Sequence, residues 1–211
     1  MITKRLVVSH YEANLDWLNS INGDVEVFIY HKKHYNNLNY CEKVELDNNN
    51  FLLPNTGRES HTYLKHIIDN YDNICDLEFF SQDALTEYPT FIDIVNNDNK
   101  LIYEQYSTHP YRFTCLNGEY KPNATINSKV YVTGEIREIW DNLFKYDPPT
   151  MVEITPHGFI KLPKSNIVMH DIEIYQKCLD YFKDNNVNNL NAWNFEYFWS
   201  LLFTDYHKTY K

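Results

Sequence analysis

Three short apolar runs constrain the fold of this chain most: RLVVSH at residues 5–10, VEVFIYHK at 25–32 and DLEFFSQD at 76–83. Each is too short for an ordinary helix and rich in β-branched or aromatic residues, so each reads as a buried strand. The segments between them have a different period. In ANLDWLNS, Leu15 and Leu18 stand at helical spacing, and after Arg58 the positions Tyr63, Leu64, Ile67, Ile68 and Tyr71 recur every three to four residues. That spacing predicts a helix with one buried face. KVELDN at 43–48 adds a third short strand to the first half. Strands that alternate with helices bury both sheet faces only when the sheet is mainly parallel and covered on each side. The expected fold is therefore α/β, with a mixed, mainly parallel central sheet flanked by helices. Later segments read as partly helical at 86–97 and 129–146, as strand and turn in TMVEITPHGFIKLP, and as helical at 165–183 and 192–207. No linker or repeat divides the halves. The reading is one domain over 1–211, with a nucleotide-binding half at 1–100 and an acceptor-side half at 101–211, whole or part of a longer chain.

An apolar content of 43% with 16% aromatic can fill such a core, and Trp140, Trp193, Tyr197 and Trp199 are placed in it by their spacing. The formal charge of −10 opposes the counterion-releasing attraction on which nucleic-acid binders rely, which makes DNA or RNA an unsuitable partner. No run of 18 apolar residues spans a membrane and the first residues lack an apolar leader core, so the expected location is cytoplasmic, the host cytoplasm if the chain is viral. Cys41, Cys75, Cys115 and Cys178 lie too far apart for a zinc knuckle and read as reduced structural thiols. His31 and His34 read as a solvated turn rather than as metal ligands.

In an open α/β sheet the ligand sits beyond the carboxyl ends of the strands, which would bring Ser9, His10, Tyr30 to Lys32, Gln82 and Asp83 to one crevice. Glycine-based phosphate loops and nucleophile elbows are excluded, because Gly23, Gly57, Gly118, Gly134 and Gly158 stand alone. The stretch LPNTGRESHTYLKHIIDNYDN at 53–73 contains the most suggestive glycine. Gly57 can take positive φ in a turn, Arg58 at the helix mouth can hold a phosphate, and Glu59 can accept from a sugar hydroxyl or orient the Arg. The plainer alternative is that Glu59 complements the helix dipole and pairs with Arg58 on the surface. Asp83 after its strand can hold a divalent cation against a diphosphate, or else cap a helix starting near Thr86.

The order VVSHYEANLDWL, VFIYHKK, LPNTGRESHTYLKHIIDNYDN, LEFFSQD and FEYFWSLLF resembles a GT-A-type glycosyltransferase family of fungi and large DNA viruses over nearly the whole chain. The resemblance implies a GT-A-like, Rossmann-like fold, a UDP-sugar donor such as UDP-glucose, a glycan acceptor, and a divalent cation, Mn²⁺ or Mg²⁺, on a DxD-type motif. Here the matching trio is Ser81-Gln82-Asp83. Only Asp83 carries over as a metal ligand, with Ser81 and Gln82 reaching the cation through water. The same resemblance sets Ser9, His10 and Tyr11 by the uridine with Tyr30 and Lys32 alongside, and turns Asn55, Arg58 and Glu59 toward ribose, diphosphate or sugar. Glu196 in the late aromatic helix becomes the base for the acceptor hydroxyl, and His157 or His170 a further metal ligand. The rival readings are a non-catalytic nucleotide-sugar- or glycan-binding module and a structural protein that keeps only the fold.

Overall fold

The computed structural model describes residues 2–32, 38–85, 90–97, 114–115, 129–153, 159–183 and 190–203. The strands are β1 (Lys4–His10), β2 (Val25–His31), β3 (Val44–Asp47), β4 (Asn50–Leu52), β5 (Leu77–Gln82), β6 (Thr114–Cys115), β7 (Lys129–Tyr131), β8 (Met151–Glu153) and β9 (Ile160–Pro163). The helices are α1 (Arg58–Asp69), α2 (Thr90–Asn97), α3 (Gly134–Leu143), α4 (Lys164–Ile167), α5 (Ile172–Leu179) and α6 (Leu190–Leu202). Seven strands form one mixed sheet in the order β3-β4-β2-β1-β5-β9-β6, and β7 pairs with β8 in a separate ribbon. At its centre β4, β2, β1 and β5 run parallel, and β3, β9 and β6 join antiparallel to their neighbours.

Side-chain alternation along the central strands decides the layers. Val7 and Phe80 enter one cluster with residues of α1, α3, α5 and α6. Leu6, Val8 and Phe79 point the other way and pack with Phe91, Ile94 and Val95 of α2 and with Trp17. Both faces of β1 and β5 are thus buried. Trp140 and Trp199 are fully buried in the larger cluster; the side chains of Trp193 and Tyr197 lie outside the described residues.

Three local expectations are revised. The segment after β1 forms only a 3-10 turn over Asp16–Ser20, because the Asn14 side-chain oxygen takes the Asp16 amide at 2.6 Å and favours a turn. The helix expected over 165–183 breaks between α4 and α5. Tyr175 Oη donates to the Ile167 carbonyl at 2.6 Å, and the Tyr71 hydroxyl donates to the His170 carbonyl, so tertiary bonds take acceptors that a continuous helix would use. Strand β4 follows a tight turn in which Asn48 and Asn49 both have positive φ, a conformation Asn tolerates better than most residues. Among the thiols, Cys41, Cys75 and Cys178 are free, and Cys41 is exposed rather than buried.

A polar network crosses the core beneath α1. Arg5 Nη1 lies 3.3 Å from Glu78 Oε1, which also accepts from the Cys75 amide at 2.9 Å. Arg5 Nη2 lies 2.8 Å from Glu26 on the neighbouring strand. Above them the Tyr30 hydroxyl meets His66 Nδ1 at 2.8 Å, and His66 Nε2 faces Glu78 Oε2 at 3.5 Å. Tyr30, expected beside the nucleotide, is therefore a core residue with no exposed surface. Burial pulls the His66 pKa down, with Glu78 opposing, so the ring belongs in the network as a neutral donor. Removing Arg5 would leave the fully buried Glu78 carboxylate without its main counter-charge. Arg5→Met is expected to cost about 3–5 kcal/mol in urea unfolding, and adding Glu78→Leu should recover much of that loss; a cost near zero for the single variant would remove the network from the fold's stability.

Candidate functional site at the carboxyl ends of the parallel strands

The chain places β2 and then β4 on one side of β1, and α1 carries it back to β5 on the other side. Strand order thus reverses between β1 and β5, and the crevice beyond their carboxyl ends is where an open α/β sheet binds ligands. Ser9 and Gln82 stand opposite each other there in register. Ser9 Oγ is tied to Thr62 Oγ1 of α1 at 2.9 Å, and Tyr11 beyond it is 46% exposed.

Asp83 organises this end. Its Oδ2 accepts the backbone N–H groups of Tyr11, Glu12 and Ala13 at 2.7, 3.0 and 3.0 Å. Three successive amides around one oxygen form a small anion nest, filled here by the protein's own carboxylate. Trp17 Nε1 donates to the Asp83 carbonyl at 3.1 Å, so both ends of the residue bind the loop after β1 to the loop after β5. His10 and His31 also contact each other, Nδ1 to Nδ1 at 2.7 Å, with His10 Nε2 donating to the Ala13 carbonyl at 3.2 Å. His31 is thus part of a ring pair at the strand ends and not of a solvated turn; His34 lies outside the described residues.

The second wall is the mouth of α1. Gly57 and Arg58 both have left-handed backbones, with φ of 57° and 50°. A Cβ on Gly57 would stand 2.4 Å from Phe182 Cδ1, so the glycine is needed for both space and conformation. Arg58 Nε lies 3.7 Å from Glu59 Oε2, with the Arg side chain 40% exposed and the Glu buried. Asn55 is half-buried in the preceding turn. Lys32, expected alongside the uridine, turns inward instead and is 3% exposed. Its Nζ donates to the carbonyls of Thr56 and Arg58, each at 2.6 Å.

Glu196 comes to the same place from α6. Burial pushes its carboxyl up to about 7, with Glu59 adding to the rise and Arg58 opposing it. The phenol of buried Tyr63 is raised well above its usual range by burial and then by Glu59, Asp83 and Glu196. Helix α6 packs on α1, so Glu196 lies within electrostatic reach of the Arg58–Glu59 pair at the mouth of α1. Thr62, Phe182 and the amides of 11–13 were not singled out in the sequence, and Tyr63 was read only as part of the buried stripe of α1. Their roles arise from packing and backbone direction, which no residue pattern records.

The expected metal donors are only partly assembled. Among the described residues no group of three His, Cys, Asp or Glu is arranged to hold an ion. Asp83 spends Oδ2 on amides, which leaves Oδ1 as its available ligand atom; the remaining ligands of a cation would come from phosphate oxygens and water, as Mg²⁺ commonly takes them. Ser81 is fully buried and cannot reach a cation through solvent. His170 Nε2 donates to the Leu202 carbonyl at 2.9 Å and its ring packs on Phe144, so that nitrogen is not a ligand. His157 lies outside the described residues.

Residues 6–210 match the model of DUF3431, described as a protein of unknown function. The chain belongs to that family. Comparisons with curated proteins and with solved structures find no match. Among the described residues no helix is long and apolar enough to cross a membrane.

The raised Glu196 carboxyl gives a signed expectation. Its folded value of about 7 exceeds the ordinary 4.5, so the folded state binds the extra proton between those values. The group favours folding below about pH 4.5, and that contribution is lost as pH rises through 7. Denaturant titrations from pH 4.5 to 7.5 should show Glu196→Gln gaining stability relative to the parent as pH rises; a pH-independent difference would place Glu196 in open solvent.

Proposed function

We propose that the chain is a glycosyltransferase of GT-A type that moves a sugar from a UDP-sugar, such as UDP-glucose, to a glycan acceptor. The observation that carries this reading is the packing of α6, which holds Glu196, on α1, whose mouth bears the Arg58–Glu59 pair. Glycosyl transfer builds positive charge at the anomeric carbon and negative charge on the departing diphosphate, and a site for it needs a base and an anion partner close together. Glu196, titrating near 7, is matched to accept a proton at neutral pH.

In the proposed step the acceptor oxygen forms its bond to the anomeric carbon as the bond to the diphosphate oxygen breaks. The acceptor proton passes to the Glu196 carboxylate, and the electron pair of the broken bond leaves with UDP. Arg58 binds the diphosphate, and Glu59 orients Arg58 or accepts from a sugar hydroxyl. Tyr11, exposed at the end of β1, stands beside the uridine with His10 and Ser9. A divalent cation, Mn²⁺ or Mg²⁺, would meet Asp83 through Oδ1 and supply counter-charge to the diphosphate in a chain of charge −10.

The test joins binding and turnover. Thermal melts with UDP and a panel of UDP-sugars, with and without Mn²⁺, should show a rise that needs both nucleotide and cation. Glu196→Gln should keep that rise and lose UDP release by about 10²–10⁴-fold. No rise with any uridine nucleotide would end this reading, and a rise without release of UDP from any donor would leave a binding module. Arg58→Gln should weaken UDP about tenfold and leave uridine unchanged, because only the former carries phosphate; equal losses would take Arg58 off the diphosphate.

A further inference from the structure

Lys32 has no part in the chemistry above, yet it is one of the most deeply buried charged groups in the fold. Its backbone amide donates to the His10 carbonyl at 2.9 Å, which fixes its start beside β1. Its side chain then runs under α1 and ends between the carbonyls of Thr56 and Arg58, 2.6 Å from each. Those carbonyls flank Gly57, and the left-handed pair Gly57–Arg58 lies between a lysine on one side and the Phe182 ring on the other. Thr56 Oγ1 closes the Phe182 side with a bond to the Phe182 carbonyl at 3.3 Å. A left-handed arginine persists only where its surroundings over-determine it, and such strain collects at functional sites.

We propose that Lys32 is a positioning residue for Arg58: by drawing the carbonyls of residues 56 and 58 onto one buried nitrogen, it fixes the left-handed turn that aims the guanidinium at the ligand's diphosphate. The ligand half of this rests on the reading given under Proposed function. The clamp half rests on geometry alone.

The charges that face Lys32 come from α1. Burial pulls the Lys32 amine down to about 7, with Glu59 opposing, and burial followed by the Lys32 charge depresses His61. A neutral amine keeps two N–H groups, which is the number of carbonyls it meets. The clamp therefore survives loss of the proton, and what Lys32 contributes is hydrogen-bond geometry rather than charge.

Two readouts separate the halves. UDP and uridine affinities are compared in the parent, Lys32→Met, Arg58→Gln and the double variant. Lys32→Met should weaken UDP about tenfold and leave uridine unchanged, and the double variant should lose no more than Arg58→Gln alone. Equal losses for UDP and uridine, or losses that multiply in the double variant, would overturn positioning through Arg58. In the absence of any ligand, amide exchange at His61, whose N–H donates to the Gly57 carbonyl at 3.2 Å, should quicken in Lys32→Met while β1 and β5 keep their protection. Unchanged exchange at His61 would remove the clamp, whatever UDP does; a parent that binds no UDP with quickened exchange in the variant would keep the clamp and discard the nucleotide reading. If Lys32→Met does not fold, Lys32→Arg, which keeps the donors but displaces them, undergoes the same comparison.

Discussion

The position of α1 against the sheet is the constraint on which the rest of the structure depends. The helix lies over β1 and β5, where strand order reverses, and polar contacts hold it at both ends. Near its carboxyl end His66 stands between the Tyr30 hydroxyl and the Glu78 carboxylate, with Arg5 behind them. At its mouth Lys32 and Phe182 hold residues 56–58 from opposite sides. Buried polar groups are costly unless partnered, so a slip of α1 along the sheet would break contacts at both ends together. The apolar stripe of Tyr63, Leu64 and Ile67 supplies attraction to the sheet, and the polar ends supply the register.

A helix pinned in this way fixes the direction of the side chains at its mouth. Arg58 and Glu59 cannot exchange faces while Gly57 touches Phe182, and the crevice takes its charge pattern from that restriction. Glu59 stands beside the Arg58 guanidinium and Asp83 lies at the neighbouring strand end, an unfavourable balance for a diphosphate in a chain of charge −10. Burial, with Glu59 adding to it, raises the Glu196 carboxyl toward neutrality. Desolvation of that carboxyl thus creates a group able to take a proton at neutral pH, and a cation carried in with the ligand would offset the acidic charge that faces a diphosphate.

How much of this was legible in the sequence differs by level. The central strands could be read because short β-branched and aromatic clusters have few other fates, and α1 because its stripe repeats over several turns. The antiparallel additions were harder to see. β4 is only three residues long, and β9 follows residues whose pattern suits strand or turn equally. Ser9, Gln82 and Asp83 do lie at the carboxyl ends of β1 and β5, since a chain direction fixes which end is which. Tyr30 and Lys32 failed for one physical reason: proximity in sequence to a strand end does not say whether a long side chain turns outward to solvent or inward beneath the neighbouring helix. Both turn inward, where a hydrogen-bonding partner awaits each.

Asp83 shows the limit of reading a motif by residue type. A lone carboxylate after a buried strand suits a metal, a helix cap or a loop anchor equally well, because all three exploit the same acceptor oxygens. What separates them is the backbone around it. Three consecutive amides of the loop after β1 converge on Oδ2, so that oxygen is spent on folding before any ligand arrives. The two oxygens of one side chain are therefore unequal: one sets the shape of the loop, and the other is the atom the proposed cation would meet. Replacing Asp83 by Ala would remove both at once and confuse loop order with cation binding. Asp83→Asn keeps an oxygen that can accept from the nest while reducing the charge offered to a metal. If the variant retains its melting temperature but loses the Mn²⁺-dependent part of the UDP response, the metal contact lies in the carboxylate's charge; if it loses melting temperature first, Asp83 serves chiefly to close the sheet's carboxyl end.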